Sequence, residues 1–375
     1  MNKNIIALGF VSFFTDMASS MVTTILPLYI VFILHQGVDK LGFVVAIATF
    51  VSYAFRVLFG YLSDKLGVVK PFVVAGYAIS AVTKPMLYFA NSWQSIAILR
   101  GLERMGKAVR SATKDSLISA YSPKQSGKNF GFHKMMDVAG EMIGAIIAFL
   151  ALLYFGKNIE VFKAIFAYSL IPGLIAFIIV LFVRDAPYKS KVKKFNFKVD
   201  LNLIPMLFIY FGVIFFIFND SFFIVSVKMS FKIEYIPLLV ILLNFTQTIL
   251  SYYFGIKIDK YGYKKIFLLS IIFALFAMIS LYFNLTILAF ILLGIFTVAS
   301  INTIRSFISD NAKNKATIYG LLYGGVALFS SLGAVIIGQI WKIYGKNGAI
   351  IYSISGVTLT LLAFLIFEYK RLNNK

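Results

Sequence analysis

"GYLSDKLGVVK" at residues 60–70 returns as "GIKIDKYGYKK" at 255–265, so the pattern G-x-x-x-D-K-x-G-x-x-K occurs twice in one chain. Each copy is a short charged turn between long apolar blocks, and other residues repeat with it. Arg110, Ser111 and Asp115 stand after the first copy as Arg305, Ser306 and Asp310 stand after the second. Gly131 and Gly144 match Gly320 and Gly333 at a slightly shorter separation. A duplicated unit accounts for all of these matches.

The apolar blocks set the class. The chain has 375 residues, is 60% hydrophobic, has a mean hydropathy of +0.88 and carries 40 Phe and 21 Tyr. A bilayer core needs about 20 apolar helical residues to cross it. Blocks of that length recur over 5–34, 41–61, 71–90, 92–110, 128–154, 161–183, 203–227, 235–257, 266–284, 286–307, 317–341 and 348–369, which predicts twelve transmembrane helices, numbered here as spans 1 to 12. The first block is too long for a signal peptide, holds Asp16 in its middle and has no small-residue cleavage site behind it, so it is expected to be a retained span. There is no cysteine, hence neither a disulfide nor a thiolate metal site.

The net charge of +21 concentrates in the loops on the side of the N-terminus, including "RDAPYKSKVKKFNFK" at 184–198. By the positive-inside rule, both termini are expected on the cytoplasmic face of the cell membrane, with the basic run against anionic lipid rather than nucleic acid. The predicted organisation is an all-α membrane protein: a six-helix bundle over 1–183, a basic linker over 184–202, and a second six-helix bundle with a short tail over 203–375.

The two loops resemble the signature loop of the major facilitator superfamily, and the resemblance extends over essentially the whole chain. It implies two pseudo-symmetric bundles that alternate between inward-open and outward-open states around a cavity lined mainly by spans 1, 4, 7 and 10, acting as a monomer. It also implies a cytoplasmic gating latch drawn from Gly60, Asp64, Lys65, Gly67 and Lys70 with Arg110, and from Gly255, Asp259, Lys260, Gly262 and Lys265 with Arg305. In purely physical terms, the glycines suit tight turns and close packing, and the aspartates suit a helix N-terminus or a basic partner.

Ionisable residues at membrane depth are costly, so each is a functional candidate. Span 4 carries Arg100, Glu103, Arg104, Lys107 and Arg110; span 5 carries His133, Asp137 and Glu141, one turn apart on one face. Counting from the cytoplasmic ends places Arg104 level with Asp137 and Arg100 level with Glu141, which predicts ion pairs between the two helices. The ladder reads either as structural pairing or as a proton relay. Arg100 resembles a span-4 arginine that the family uses in proton handling. Lys107, Arg110, Arg56 and Lys84 are expected to snorkel from span ends. Asp16 of span 1 and Asp220 of span 7 form a candidate carboxylate pair across the cavity.

Span 5 has Gly140 and Gly144 in G-x-x-x-G spacing, as in the family's exporters, but Ala145 stands where their signature has proline. No phosphate-binding loop supports an ATP-driven pump. Two histidines and no cysteine argue against a metal site, although His133, Asp137 and Glu141 have suitable spacing. No cofactor and no enzymatic activity are expected. The expectation is a secondary transporter of a small solute, coupled to protons, with export by antiport preferred. Symport or facilitated uptake of a small anion is the alternative, and a transport-inactive membrane receptor or scaffold is the alternative outside transport.

Overall fold

The computed structural model describes residues 2–121, 126–185, 200–228, 230–313 and 315–373, and all regular structure among them is helical. The basic run at 186–199 lies outside the described residues. Ten helical stretches are long and apolar enough to cross a membrane. One of them, Thr317–Tyr369, lies in a continuous helix, Lys315–Asn373, that Gly345 divides with φ 73° and ψ 179°, so it holds spans 11 and 12. Span 4, the helix Trp93–Ala120, has 28 residues, about 42 Å, but is too charged to pass as apolar. Twelve spans result, and the fold is that of the major facilitator type.

Contacts divide the chain into two compact units. The first comprises Met1–Gln36, Ile47–Lys193 and Ile233–Ile241; the second comprises Gly37–Ala46, Lys194–Lys232 and Leu242–Lys375. The starts of spans 2 and 8 therefore belong with the unit opposite to the rest of their helices. In the second unit Asp39, 2% exposed, binds Lys342 Nζ at 3.2 Å and Lys40 Nζ at 3.4 Å. Gly42 allows this approach: a Cβ there would meet the Ala334 carbonyl oxygen at 2.6 Å.

Glycine contacts position the helices of each unit. In the first, span 5 lies on span 1, because Gly140 and Gly144 leave room for the carbonyls of Phe13 and Met17. Span 4 lies on span 3, where a Cβ on Gly76 would stand 2.6 Å from the Gly106 oxygen and a Cβ on Gly106 2.8 Å from the Gly76 oxygen. In the second unit Gly333 leaves the same room for the Phe215 carbonyl, and each carbonyl belongs to a T-shaped ring pair: Phe13–Phe14 with centroids at 5.1 Å, Phe215–Phe216 at 4.9 Å. Gly333 is thus the counterpart of Gly140, one helical turn from the Gly144 that the sequence match pairs with it. A neighbouring contact supports this register with its partners exchanged: Gly9 receives the Phe132 ring in one unit, and Gly325 receives the Phe211 ring in the other.

Both signature loops turn through glycine in the left-handed region, Gly67 at φ 67° and Gly262 at φ 82°. Ser63 Oγ donates to the Val68 carbonyl at 2.6 Å and closes the first turn. Beneath it Leu8, Val73, Tyr77, Leu117, Ile118 and Val180 form an apolar core between spans 1, 3, 4 and 6. Large apolar side chains such as Phe155, Phe182 and Tyr252 stand three-quarters or more exposed, as a lipid-facing surface requires.

Span 7 is broken. Helix Ile204–Phe216 ends where Ile217 turns extended, and Asn219 caps a second helix, Asp220–Ser226, its Oδ1 accepting from Ser221 N at 3.0 Å and Phe222 N at 3.3 Å.

Replacing Gly140 or Gly333 by leucine is expected to lower stability by about 1–3 kcal/mol or more, since the added atoms displace a helix backbone. Gly255→Ala, where a Cβ meets nothing within 4 Å, is expected to leave stability unchanged or raise it by about 0.5–1 kcal/mol. Thermal unfolding of the three variants in detergent distinguishes these outcomes.

Candidate functional site

Span 4 is helical ten residues beyond its apolar block, and this extension changes the environment of its charges. Lys107 and Arg110 are not at a helix end. Arg110 is 5% exposed, donates to the Gly76 carbonyl at 3.3 Å and to Ser80 Oγ, and lies 4.7 Å over the Tyr77 ring. It therefore ties span 4 to span 3 instead of snorkelling. Lys84 is likewise internal, 1% exposed, with Nζ donating to the Thr15 carbonyl of span 1 at 3.2 Å.

The predicted pairs between spans 4 and 5 are not formed. Arg100 Nη1 binds Glu103 Oε2 at 2.8 Å, and Arg104 Nε approaches the same oxygen at 3.4 Å. Glu103 is 2% exposed, so one buried carboxylate serves two guanidinium groups on its own helix. Asp137 has His133 Nδ1 at 3.3 Å from Oδ1, at an angle that makes no hydrogen bond. The physical reason is azimuth. Equal depth puts residues on one level, but span 4 turns toward span 3, and span 5 toward span 1.

Asp16 is the residue on which several elements converge. Its charge reaches Lys84 and Tyr77 of span 3, Lys107 of span 4, and His133 and Glu141 of span 5. Glu141 also senses Lys107, Lys134 and Asp137. The first unit thus holds an internal set of carboxylates and cations in which a proton added at one site alters the field at every other. Ser12, one turn below Asp16, joins the set: His133 Nε2 lies 2.7 Å from Ser12 Oγ, which also accepts from Lys114 Nζ at 3.1 Å. Sequence reasoning passes over Ser12 and Lys114, since Lys114 lies beyond the apolar block that ends at 110, and it reads Lys84 as snorkelling from a span end.

Among the described residues, the second unit shows no such set. At the spacing of the two signature loops, Arg100, Glu103, Arg104 and Lys107 correspond to Ile295, Val298, Ala299 and Asn302. Asn302 Nδ2 donates to the Ser251 carbonyl at 3.1 Å. The matched Phe pairs align Asp16 with Phe218, while Asp220 stands exposed two residues further along.

The gating residues are dispersed. Gly60 is in the span-2 helix, Lys65 is exposed, and the Asp64 side chain lies outside the described residues. Lys70 Nζ donates to the Leu181 carbonyl at 3.0 Å. Gly255 faces open space, so it serves no close packing here. Asp259, Lys260, Lys265 and Arg305 are exposed, and among the described residues Asp259 forms no ion pair. Lys260 lies 5.3 Å from the Tyr261 ring, and the Arg305 carbonyl accepts from Tyr319 at 3.0 Å.

Glu103→Gln is expected to cost about 3–5 kcal/mol by stranding Arg100, and Arg100→Met together with Glu103→Met to recover most of it. Arg104→Ala and Asp137→Ala, which share no bond, are expected to add within about 0.5 kcal/mol. Double-mutant cycles on thermal stability check both statements.

Comparison with known proteins agrees with this architecture. An uncharacterized MFS-type transporter of Methanocaldococcus jannaschii is 34% identical over 388 aligned residues, covering 96% of this chain and 95% of that protein. An uncharacterized protein of Mycobacterium bovis is 37% identical over 111 residues, 28% of this chain and 27% of that one. Among solved structures, a nucleoside transporter superposes with a TM-score of 0.83 at 14% identity, covering 97% of this chain and 99% of that one. A D-xylose-proton symporter superposes with a TM-score of 0.70 at 18% identity, covering 96% and 95%. The sequence profile described as Major Facilitator Superfamily matches residues 8–334, and the chain belongs to that family of secondary transporters.

Proposed function

We propose that this transporter couples movement of a small solute across the cell membrane to protons, with Asp16 and Glu141 as the coupling carboxylates. The observation that carries the reading is that polar side chains of spans 3, 4 and 5 meet span 1 on either side of Asp16: Lys84 at the Thr15 carbonyl, Lys114 and His133 at Ser12. Asp16 and Glu141 lie on adjacent packed helices, spans 1 and 5, and neutralising either carboxylate with a proton changes the field at the other. Binding that proton removes one negative charge from a set that also holds Lys84 and Lys107. The cations are then free to repel one another or to attract a solute anion, and either effect biases one conformation over another.

The halves 1–183 and 203–375, joined through 184–202, are the bodies that rock in this reading, with the termini cytoplasmic and the chain acting as a monomer. Asp220 and Arg104 complete the solute- and proton-facing groups. The signature loops, Asp64 and Asp259 included, hold the cytoplasmic latch in the conformation that closes it. One fold neighbour is a proton symporter, so the scaffold accommodates such coupling.

Antiport is the preferred direction, solute out as protons enter. Gly140, Gly144, Ala145 and Ala148 keep the span-5 surface small where it meets span 1, as the exporter pattern does. Symport of a small anion is the second reading. It is favoured by charge: Lys84, Arg100, Arg104, Lys107 and Arg110 outnumber Asp16, Glu103 and Glu141.

Purified protein in liposomes, with internal pyranine reporting pH, tests the proposal against nucleosides, pentoses and small carboxylates as trial solutes. Solute-dependent proton flux is expected in the wild type. In Asp16→Asn it should fall by about 100-fold with thermal stability retained. Solute movement without proton flux, or coupling that survives Asp16→Asn, overturns the reading. The sign of the solute gradient built by an imposed pH gradient separates antiport from symport.

A further inference from the structure

We propose that Lys114, Ser12 and His133 form a proton route between the signature-loop end of the first unit and Asp137. The route would feed the coupling carboxylates proposed above, and it rests on that reading.

Three helices build the route. Ser12 is 2% exposed on span 1, His133 is 5% exposed on span 5, and Lys114 is half-buried on span 4, about 9 Å from the last residue of its helix. Lys114 Nζ is 3.1 Å from Ser12 Oγ, and Ser12 Oγ is 2.7 Å from His133 Nε2. His133 Nδ1 is 3.3 Å from Asp137 Oδ1, a buried oxygen with no hydrogen bond. The charges that reach His133 are Lys114 of span 4, Asp16 of span 1 and Lys134 of its own helix.

The contact with Lys114 fixes the direction of the first hydrogen bond. An ammonium can only donate, so the Ser12 oxygen accepts from Lys114. In the proposed route the Ser12 hydroxyl then donates its own proton to His133. His133 Nε2 accepts in this arrangement, and the route requires the neutral ring to carry its proton on Nδ1, the nitrogen beside Asp137. The chain reads Lys114 to Ser12 to His133 by hydrogen bonds, and a small turn of the imidazole would close the last 3.3 Å step to the Asp137 oxygen, which makes no hydrogen bond at rest.

A proton can pass along it with every bond balanced. Ser12 gives its proton to Nε2 and takes one from Lys114, while the imidazole releases its Nδ1 proton to Asp137. Lys114 becomes a neutral amine, Asp137 becomes a carboxylic acid, and only N–H and O–H bonds have changed. Water at the helix end reprotonates Lys114. The same steps in reverse carry a proton outward once the ring and hydroxyl have changed polarity. Asp137 is one turn from Glu141, and Ser12 one turn from Asp16, so the route ends at the coupling pair.

The chain has two histidines, His35 and His133, so nitrogen-15 histidine labelling in lipid vesicles gives two imidazoles to assign. Wild-type His133 is expected as the neutral Nδ1–H tautomer, with Ser12→Ala changing the tautomer ratio. A neutral Nε2–H ring in the wild type overturns the route. Infrared detection of the carboxylic-acid C=O stretch after a pH jump then follows proton delivery without any solute. His133→Gln and Ser12→Ala are expected to slow its appearance by about 100-fold at unchanged amplitude, with Ser12→Thr restoring the rate. Unchanged rates in both variants overturn the route and leave proton coupling standing. A wild type lacking any carboxyl signal that Asp16→Asn or Asp137→Asn removes overturns the coupling reading, and the route with it.

Discussion

An ion inside a bilayer must find its partner within the protein, and the first unit is organised around that requirement. The Arg100–Glu103–Arg104 cluster meets it with the least dependence on other helices. A spacing of three residues puts Arg100 and Glu103 on one face of span 4, and one buried carboxylate then holds two guanidinium groups. The cluster keeps a net positive charge. Lys84, Arg110 and Lys107 add to it, so the carboxylates of Asp16 and Glu141 are needed nearby to balance the field. A stable fold and the proposed protonatable site share the same electrostatic constraint.

The duplication makes the contrast between the halves informative. Backbone packing is shared: Phe13 with Gly140 and Phe215 with Gly333 make the same contact, and Gly67 and Gly262 make the same turn. Side-chain polarity is not shared. Where the first unit has a charged span 4, the second has Ile295, Val298 and Ala299. Around span 7 it packs aromatic rings instead, Phe218 stacking on Trp341 at 5.6 Å and Phe223 meeting Phe290 edge-on. Helix packing by glycine and backbone is compatible with either filling, so one scaffold can carry charge in one copy and an apolar core in the other.

Periodicity and hydropathy made the spans, the duplication and the glycine turns legible, because each is a property of one helix or one loop. Depth along a helix was legible for the same reason. Azimuth was not: Arg104 and Asp137 share a level, yet span 4 faces the Gly76 surface of span 3 and span 5 faces Phe13 of span 1. Lys107 and Arg110 were misread as snorkelling because the apolar block stops at 110 while the helix continues to Ala120, held by buried contacts at Leu117 and Ile118. Lys84 differs from the expectation in direction: its ammonium turns inward to the Thr15 carbonyl of span 1 instead of toward a membrane surface, and position along the helix does not give that direction. The Gly144–Gly333 match slipped by one turn because small residues recur every fourth position, and only the carbonyl they receive distinguishes them.

The same glycines set how the polar set can move. Gly140 and Gly144 bring the span-5 backbone onto the Phe13 and Met17 carbonyls, and Gly9 admits the Phe132 ring next to His133. Ser12 and His133 therefore sit between contacts that leave little room to slide, and their 2.7 Å separation is held by backbone packing on both sides. Span 4 is fixed differently, through Gly76, Gly106 and the Arg110 contacts to span 3. Lys114, which completes the chain from span 4, reaches Ser12 by a flexible four-carbon side chain rather than by a fixed backbone. A small shift of span 3 with span 4 against span 1 with span 5 would thus separate Lys114 from Ser12 and leave Ser12 and His133 together. The hydrogen-bonded chain is rigid where tautomer selection needs rigidity and adjustable at the one link that meets water.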